Sequence, residues 1–219
     1  MSVLSTSTAV TSVGAAVAFC TSSSTGSLTF SGQGLTAFPN VFSCMNIIRL
    51  DVSRNYISYV PNEIGTLVKV TTLQLNSNRI FQLPSTIINM LALKNLWLQH
   101  NFLTTLPYLP PNIWQVLLSY NSISTIPVEL LNTTNLSFLS LKGNGITVLP
   151  TNMFSLYFPF LTLLNIANNP NIILSSDSGS GMSDLKILNN LDLSAINLNT
   201  IPAWLTTITT LRTLTCLLI

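Results

Sequence analysis

Few residues in this 219-residue chain have side chains suited to acid–base or nucleophilic chemistry. There is one histidine, His100, and three cysteines, Cys20, Cys44 and Cys216. The six carboxylates are Asp51, Glu63, Glu129, Asp177, Asp184 and Asp192. General acid–base catalysis needs groups within hydrogen-bond reach of a shared reacting atom, and none of these carboxylates forms a recognisable pair. Zinc sites are built from Cys and His at short, regular spacings, and one histidine with three distant cysteines offers none. Gly143-Asn144-Gly145 is part of a recurring turn and not a phosphate-binding loop. The expectation is a chain with no catalytic residue, no metal and no cofactor. His100 is then a hydrogen-bonding residue at the rim of a binding surface.

The residues that do recur are leucines, isoleucines and asparagines. Ile47, Leu50, Val52, Asn55, Ile57, Val60, Pro61 is followed by Val70, Leu73, Leu75, Asn78, Ile80, Leu83, Pro84. Leu93, Leu96, Leu98, Asn101, Leu103, Leu106, Pro107 comes next, each set 23 residues after the last. The L-x-L centre alternates apolar and polar residues, the pattern of a short strand with one buried face. One such unit cannot cover its own apolar side, so neighbours must stack. The asparagine stands where the chain bends inward and backbone groups leave the strand ladder while buried. An amide carries both donor and acceptor, so it can satisfy its own turn and groups of the next coil. Proline fixes φ and ends the strand pattern as the outer side begins.

This L-x-x-L-x-L-x-x-N-x-L-x-x-L-P pattern is identified as that of the leucine-rich repeat superfamily. The resemblance implies a curved, right-handed α/β solenoid. Its parallel sheet lines the concave face, and short helical, 3₁₀ or extended segments cross the convex one. Pro61-Asn-Glu-Ile64-Gly-Thr-Leu67 and Pro84-Ser-Thr-Ile87 follow P-x-x-I-x-x-L, which resembles the plant intracellular Ras-group repeat and suits a short helical turn. Asn101 to Asn121 spans 20 residues. There, Leu106-Pro-Tyr-Leu-Pro-Pro resembles the bacterial L-P-x-L-P type, in which the convex crossing is extended because clustered prolines exclude a helix. Asn121, Asn144 and Asn169 continue the asparagine ladder begun by Asn55, Asn78 and Asn101. Asn171 stands where an apolar residue is usual, and Ile196 replaces the next ladder asparagine. Ser175 to Gly181 reads as a flexible insertion.

Residues 1–24 are read as a leader or an N-terminal cap segment, and 25–219 as a solenoid of about eight coils plus a truncated last strand. Ala16-Val17-Ala18 resembles the end of a secretory signal, although no Lys or Arg precedes it. Gln33 takes the ladder position of the weak first repeat, as in the atypical terminal repeats of solenoids. Cys20 and Cys44 are close to one period apart, so equivalent places on adjacent coils would bring them within disulfide reach. The alternative is two small apolar residues in a cap. No polar cap follows the last coil, so the chain is expected to be part of a longer protein. Cys216-Leu-Leu-Ile219 also fits a prenylation box, but Cys216 occupies an inward position of its repeat.

Only 6% of residues are charged and the net charge is +2, with the basic residues scattered from Arg49 to Arg212. That is no footprint for nucleic acid. Mean hydropathy is +0.53, which the repeat leucines explain. The most apolar run, Met153 to Ile166, contains Pro159 and is too short for a comfortable bilayer span. Asn132-Thr-Thr and Asn135-Leu-Ser are glycosylation sequons. Asn132 falls on a convex loop and Asn135 beside a strand, where it makes a poorer acceptor. In a chain rich in Ser, Thr and Asn, both are equally well read as accidents.

Repeat register predicts which residues share the concave face. One column reads Thr29, Asp51, Gln74, Trp97, Leu117, Ser140, Asn165, Asp192. Its neighbour contains Arg49, Thr72, Asn95, Gln115 and Phe138. Trp97, Leu117 and Phe138 therefore fall together in the middle coils. His100, Phe102 and Tyr120 flank them, Arg49, Arg54 and Arg79 lie on the amino-terminal side and Lys142 on the other. Central aromatics with flanking cations have the composition of interaction hot spots. The alternative is that Trp97 and Phe138 lean on each other over the sheet. The expected function is non-catalytic recognition of a protein or peptide on the concave face, with no nucleic-acid partner and no membrane span in this segment. An extracellular or receptor-like setting fits the paired cysteines, the sequons and the scarcity of charge. An intracellular signalling scaffold is the alternative suggested by the Ras-group-like repeats.

Overall fold

The computed structural model describes residues 26–126, 135–150, 153–174, 182–198 and 200–218. They form a curved α/β solenoid around one parallel sheet. Its strands are β1 (Gly26–Thr29), β2 (Ile47–Asp51), β3 (Thr72–Gln74), β4 (Asn95–Trp97), β5 (Gln115–Leu117), β6 (Phe138–Ser140), β7 (Leu163–Asn165), β8 (Asn190–Leu198) and β9 (Thr213–Leu218), paired strictly in chain order. Most inner strands are three residues long because only the x-L-x centre of each repeat is extended. The central residue points inward, so Leu73, Leu96, Val116, Leu139 and Leu164 stack as fully buried neighbours, and the residues on either side point out to the concave face.

The convex crossings follow their local sequence. Pro61, Pro84 and Pro202 hold φ between −62° and −67° with an extended ψ, and each leads into a 3₁₀ segment, Asn62–Thr66, Ser85–Asn89 and Ala203–Thr207. Ile64, Ile87 and Leu205 turn inward from these segments. The expected helical turn is thus the tighter 3₁₀ form, which suits a crossing of one short turn. After Pro107 the chain crosses without a helix, with only a turn at Pro111 and Asn112. A short α-helix, Met153–Tyr157, carries the coil before β7 and buries Met153 and Phe154.

What fixes one coil on the next is the asparagine ladder. Asn101 is typical. Its Oδ1 accepts the Ile80 N–H at 3.0 Å, and its Nδ2 donates to the carbonyls of Leu75 and Leu98, both at 3.0 Å. Asn55, Asn78, Asn121, Asn144 and Asn169 repeat the arrangement. The side chain therefore serves its own turn and the preceding coil, not the next one as the sequence suggests. The direction follows from geometry: Asn55 and Asn78 both donate to the carbonyl of Val52, so each amide closes the seam behind it.

The ladder stops at Ile196, which is buried. There β8 runs on to Leu198, and Ala195 and Asn197 both adopt left-handed φ, 54° and 52°. Asn197 Nδ2 donates to the Pro170 carbonyl at 2.8 Å, which recovers one contact to the preceding coil. A cavity of about 270 Å³ opens beside it, lined by Ile172, Leu174, Leu198 and Pro202 among others. The apolar slot expected at Asn171 is filled one residue later, by Ile172, which is 7% exposed. Asn169-Pro170-Asn171 has room for the extra residue because Ile172 N–H bonds back to the Asn169 carbonyl.

Replacing Asn101 with Ala strands the buried Ile80 N–H and removes one of the two asparagine donors at each of the Leu75 and Leu98 carbonyls, and should lower stability by about 1–3 kcal/mol in urea denaturation. Asn112→Ala removes a single bond, to the Leu91 carbonyl, at an exposed edge, and should cost about 0.5 kcal/mol or less. Equal costs would show that the ladder is not what binds the coils.

Candidate binding face

Strand register assembles the concave surface residue by residue. The pairs Thr29–Asp51, Asp51–Gln74, Gln74–Trp97, Trp97–Leu117, Leu117–Ser140, Ser140–Asn165 and Asn165–Asp192 make one column. Arg49, Thr72, Asn95, Gln115, Phe138, Leu163 and Asn190 make the next. Trp97 and Leu117 are direct neighbours, and Phe138 stands diagonally across from Leu117 as the partner of Gln115. All three are half-buried.

Trp97 and Phe138 do not stack on each other. Trp97 Nε1 instead donates to Gln115 Oε1 at 3.2 Å, so the indole is pinned across two coils with its polar tip satisfied. Repeat register makes Gln115 only a column member. The sequence signal for its role as the tether of Trp97 is a long amide one coil from an indole donor. Gln99, on the same face of the chain as Trp97, has a buried Oε1 without a hydrogen-bond partner.

Beyond the strands, one position per coil turns the chain inward. Gly32, Arg54, Ser77, His100, Tyr120, Gly143, Asn168 and Ala195 all take left-handed φ, between 54° and 69°. A side chain in this conformation costs roughly 1–2 kcal/mol; in six of these coils a ladder asparagine follows and helps to hold the turn, whereas Gln33 follows Gly32 and Ile196 follows Ala195. The same geometry aligns the side chains from coil to coil. His100 and Tyr120 stack with centroids 4.7 Å apart and planes 9° from parallel. The Tyr120 ring continues over Gly143, where an added Cβ would lie 2.7 Å from ring carbon Cδ1. Gly143 thus gives the ring its place.

Two residues after the inward turn come Tyr56, Arg79 and Phe102. The Arg79 guanidinium sits 4.7 Å above the Tyr56 ring, and Phe102 stacks on Phe81 at 5.6 Å. Phe81 is 58% exposed. Repeat register does not point to it, because its slot lies past the strand and holds Ser58 and Thr104 in adjacent coils. The structure therefore brings Trp97, Leu117 and Phe138 together in the centre and places His100, Tyr120, Phe102 and Arg79 along the carboxyl-terminal ends of the strands. Arg49 stays on the sheet beside Thr72. Lys142 is partly exposed one coil beyond Tyr120, and its carbonyl accepts the Tyr120 N–H.

Asp51 and Asp192 occupy the same column but sit on β2 and β8, six strand spacings or roughly 29 Å apart. Each is engaged locally. Asp51 Oδ1 accepts the Ser53 N–H at 2.9 Å, and Asp192 accepts from Ser194 at 2.7 Å and from Asn165 Nδ2 at 3.0 Å. Among the described residues no group of three or more His, Cys, Asp or Glu could hold a metal ion. No described helix is long and apolar enough to cross a membrane. Cys44 is buried and disulfide-bonded, and Cys20 lies outside the described residues. Cys216 is a free thiol packed against the core. Asn132 is outside the described residues. Asn135 is exposed and donates from Nδ2 to the Pro111 carbonyl at 3.1 Å.

Gly143→Ala meets both the left-handed φ and the Tyr120 ring. It should cost about 1–2 kcal/mol by urea denaturation. In a Tyr120→Ala background part of that cost should disappear, since residues in contact are non-additive. Strict additivity would mean the ring does not rest on Gly143.

No family model matches the chain. Chaoptin from Drosophila melanogaster is 29% identical over 157 residues, which is 68% of this chain and 12% of chaoptin. The chain thus spans about an eighth of that relative. Among solved structures, a Leptospira interrogans LRR protein is 29% identical with a TM-score of 0.75, over 86% of this chain and 46% of the other. The PEPR1–AtPEP1 complex shares the fold at a TM-score of 0.69 and 24% identity, over 86% and 27% of the two chains. The TLR13–ssRNA13 complex does so at 0.71 and 23%, over 89% and 28%. With its repeats, its asparagine ladder and these relatives, the chain belongs to the leucine-rich repeat superfamily.

Proposed function

We propose that this solenoid is a non-catalytic recognition module within a larger, receptor-like protein, and that its concave face binds a protein or peptide without a cofactor. The observation that carries this is the half-buried cluster of Trp97, Leu117 and Phe138, continued by Leu163 on the next strand, at the centre of a mostly polar sheet face. An indole held rigidly by Gln115 loses little freedom on binding, and rigid central aromatics are where binding energy concentrates. PEPR1, with the same fold, forms a complex with AtPEP1. TLR13 forms one with ssRNA13, but eight cations against six carboxylates provide little of the phosphate neutralisation that drives nucleic-acid affinity.

An extracellular or cell-surface setting is the favoured context. The Cys44 disulfide supports it, since such bonds persist in oxidising compartments. Pairing of Cys44 with Cys20, glycosylation at Asn132 or Asn135, and residues 1–24 as a leader or cap belong to the same reading. An intracellular scaffold is the second reading, favoured by the 3₁₀ turns after Pro61 and Pro84 and their likeness to the Ras-group type.

Two measurements test the proposal. Peptides selected on the purified chain from a random library should bind Trp97→Ala with about 30-fold lower affinity, equivalent to about 2 kcal/mol. They should bind the convex variant Ser85→Ala unchanged, and the opposite pattern would overturn the concave site. Intact mass from a eukaryotic secretory host should reveal a shortened amino terminus, the two hydrogens gained on reduction and loss of sugar on deglycosylation. An unprocessed chain with free thiols and no sugar would favour the scaffold.

A further inference from the structure

The cations of the concave face are not evenly spread. Arg49 lies on β2, Arg54 at the inward turn that follows it, and Arg79 at the same end of the next coil. All three are exposed. Among the described residues none has a carboxylate partner; Arg79 has only the ring of Tyr56 beneath it. The acid nearest in sequence, Asp51, lies on the same concave face, and its oxygens accept from the Ser53 N–H and, at 3.5 Å, from Thr29 Oγ1 but from none of the three arginines. Glu63 belongs to the convex 3₁₀ segment. Further along, the Arg49 column continues as Thr72, Asn95, Gln115 and Phe138, with no charge. The far end carries Asp192 on β8 and, just ahead of β9, the exposed Arg212. The amino-terminal end of the face therefore carries three cations and one carboxylate, Asp51, next to the apolar centre, with Lys142 beyond that centre.

We infer that the ligand is an amphipathic, acidic peptide segment that runs across the strands. Its carboxylates face Arg49, Arg54 and Arg79, and its apolar side chains face Trp97, Leu117 and Phe138. This rests on the proposed concave site and names the chemistry that the site selects. Guanidinium groups without internal partners are free to make charge-assisted pairs with carboxylates, and such pairs fix the direction in which a ligand lies. The strand spacing also sets a ruler. From β2 to β4 is about 10 Å and from β2 to β6 about 19 Å. An extended peptide rising about 3.3 Å per residue therefore places its first apolar anchor about three residues from the acidic group and its last about six residues away. Single-stranded RNA would supply anions too, but it brings no aliphatic side chains for Leu117 and Phe138.

The test is selection of random peptides of roughly 12 residues, enough to cover four strand spacings, on the wild-type chain. The expected clones carry Asp or Glu about three to six residues from a pair of large apolar residues. They should bind the triple variant Arg49→Gln/Arg54→Gln/Arg79→Gln at least about tenfold more weakly. If that variant does not fold, raising NaCl from about 0.05 to about 0.5 M on the wild-type chain should weaken the acidic clones by a similar factor and leave neutral ones unchanged. Clones without acidic enrichment that still depend on Trp97 would overturn the acidic inference and leave the concave site standing. Clones indifferent to Trp97, or no enrichment at all, would overturn both. An oligouridine that binds more tightly than any selected peptide, and is lost in the triple variant, would overturn the peptide assignment.

Discussion

Every coil of this solenoid must bend its backbone inward after three residues of strand, and that bend would strand N–H and C=O groups in an apolar interior. The ladder asparagine resolves the constraint. One side chain accepts from the coil behind and donates to that coil and its own turn, as at Asn101. An unpaired group there would cost on the order of 1–3 kcal/mol, so six successive asparagines set the spacing and register of the seams they close. The left-handed residue before each asparagine is part of the same bend, which Ala195 keeps even where Ile196 stands in place of the asparagine. The alignment of side chains that the bend produces runs from the His100–Tyr120 stack to the space that Gly143 leaves beneath Tyr120.

The binding face inherits its order from that ladder. Because each coil advances by one strand spacing without slipping, Trp97 meets Leu117 and Gln115, and Phe138 falls one strand further on. A slip of one residue would turn these side chains into the core. The site is thus a product of repetition: a fixed geometry at the inward positions leaves the outward positions free to hold whatever a partner requires.

The fold is legible in the sequence because two periods are superimposed there, two residues within a strand and 23 between most coils. Aligned on the ladder asparagines, those periods suffice to write the column Asp51, Gln74, Trp97, Leu117, Ser140. The proline spacing likewise separates the 3₁₀ crossings from the extended one after Pro107. What the pattern does not carry is direction and side-chain reach. The ladder closes the preceding seam, a matter of which way Asn Cβ points. Gln115 tethers Trp97 through an amide–indole bond that column position alone does not reveal. Ile172 rather than Asn171 fills the core slot because the turn absorbs one extra residue. Phe81 joins the rim by stacking on Phe102 from a slot that is polar in adjacent coils.

Native-state hydrogen exchange tests the central claim most directly, because it reads the ladder bonds in the intact protein. The amides of Ile57, Ile80, Leu103, Ile123 and Ile146 each donate to an asparagine side chain in the following coil. If the ladder is the constraint on which the solenoid depends, these amides exchange only as slowly as those of the central strands, through cooperative opening of the array. Exchange at the rate of exposed amides outside the ladder, such as that of Tyr59, would contradict the account, since the coils would then be held together without their asparagines.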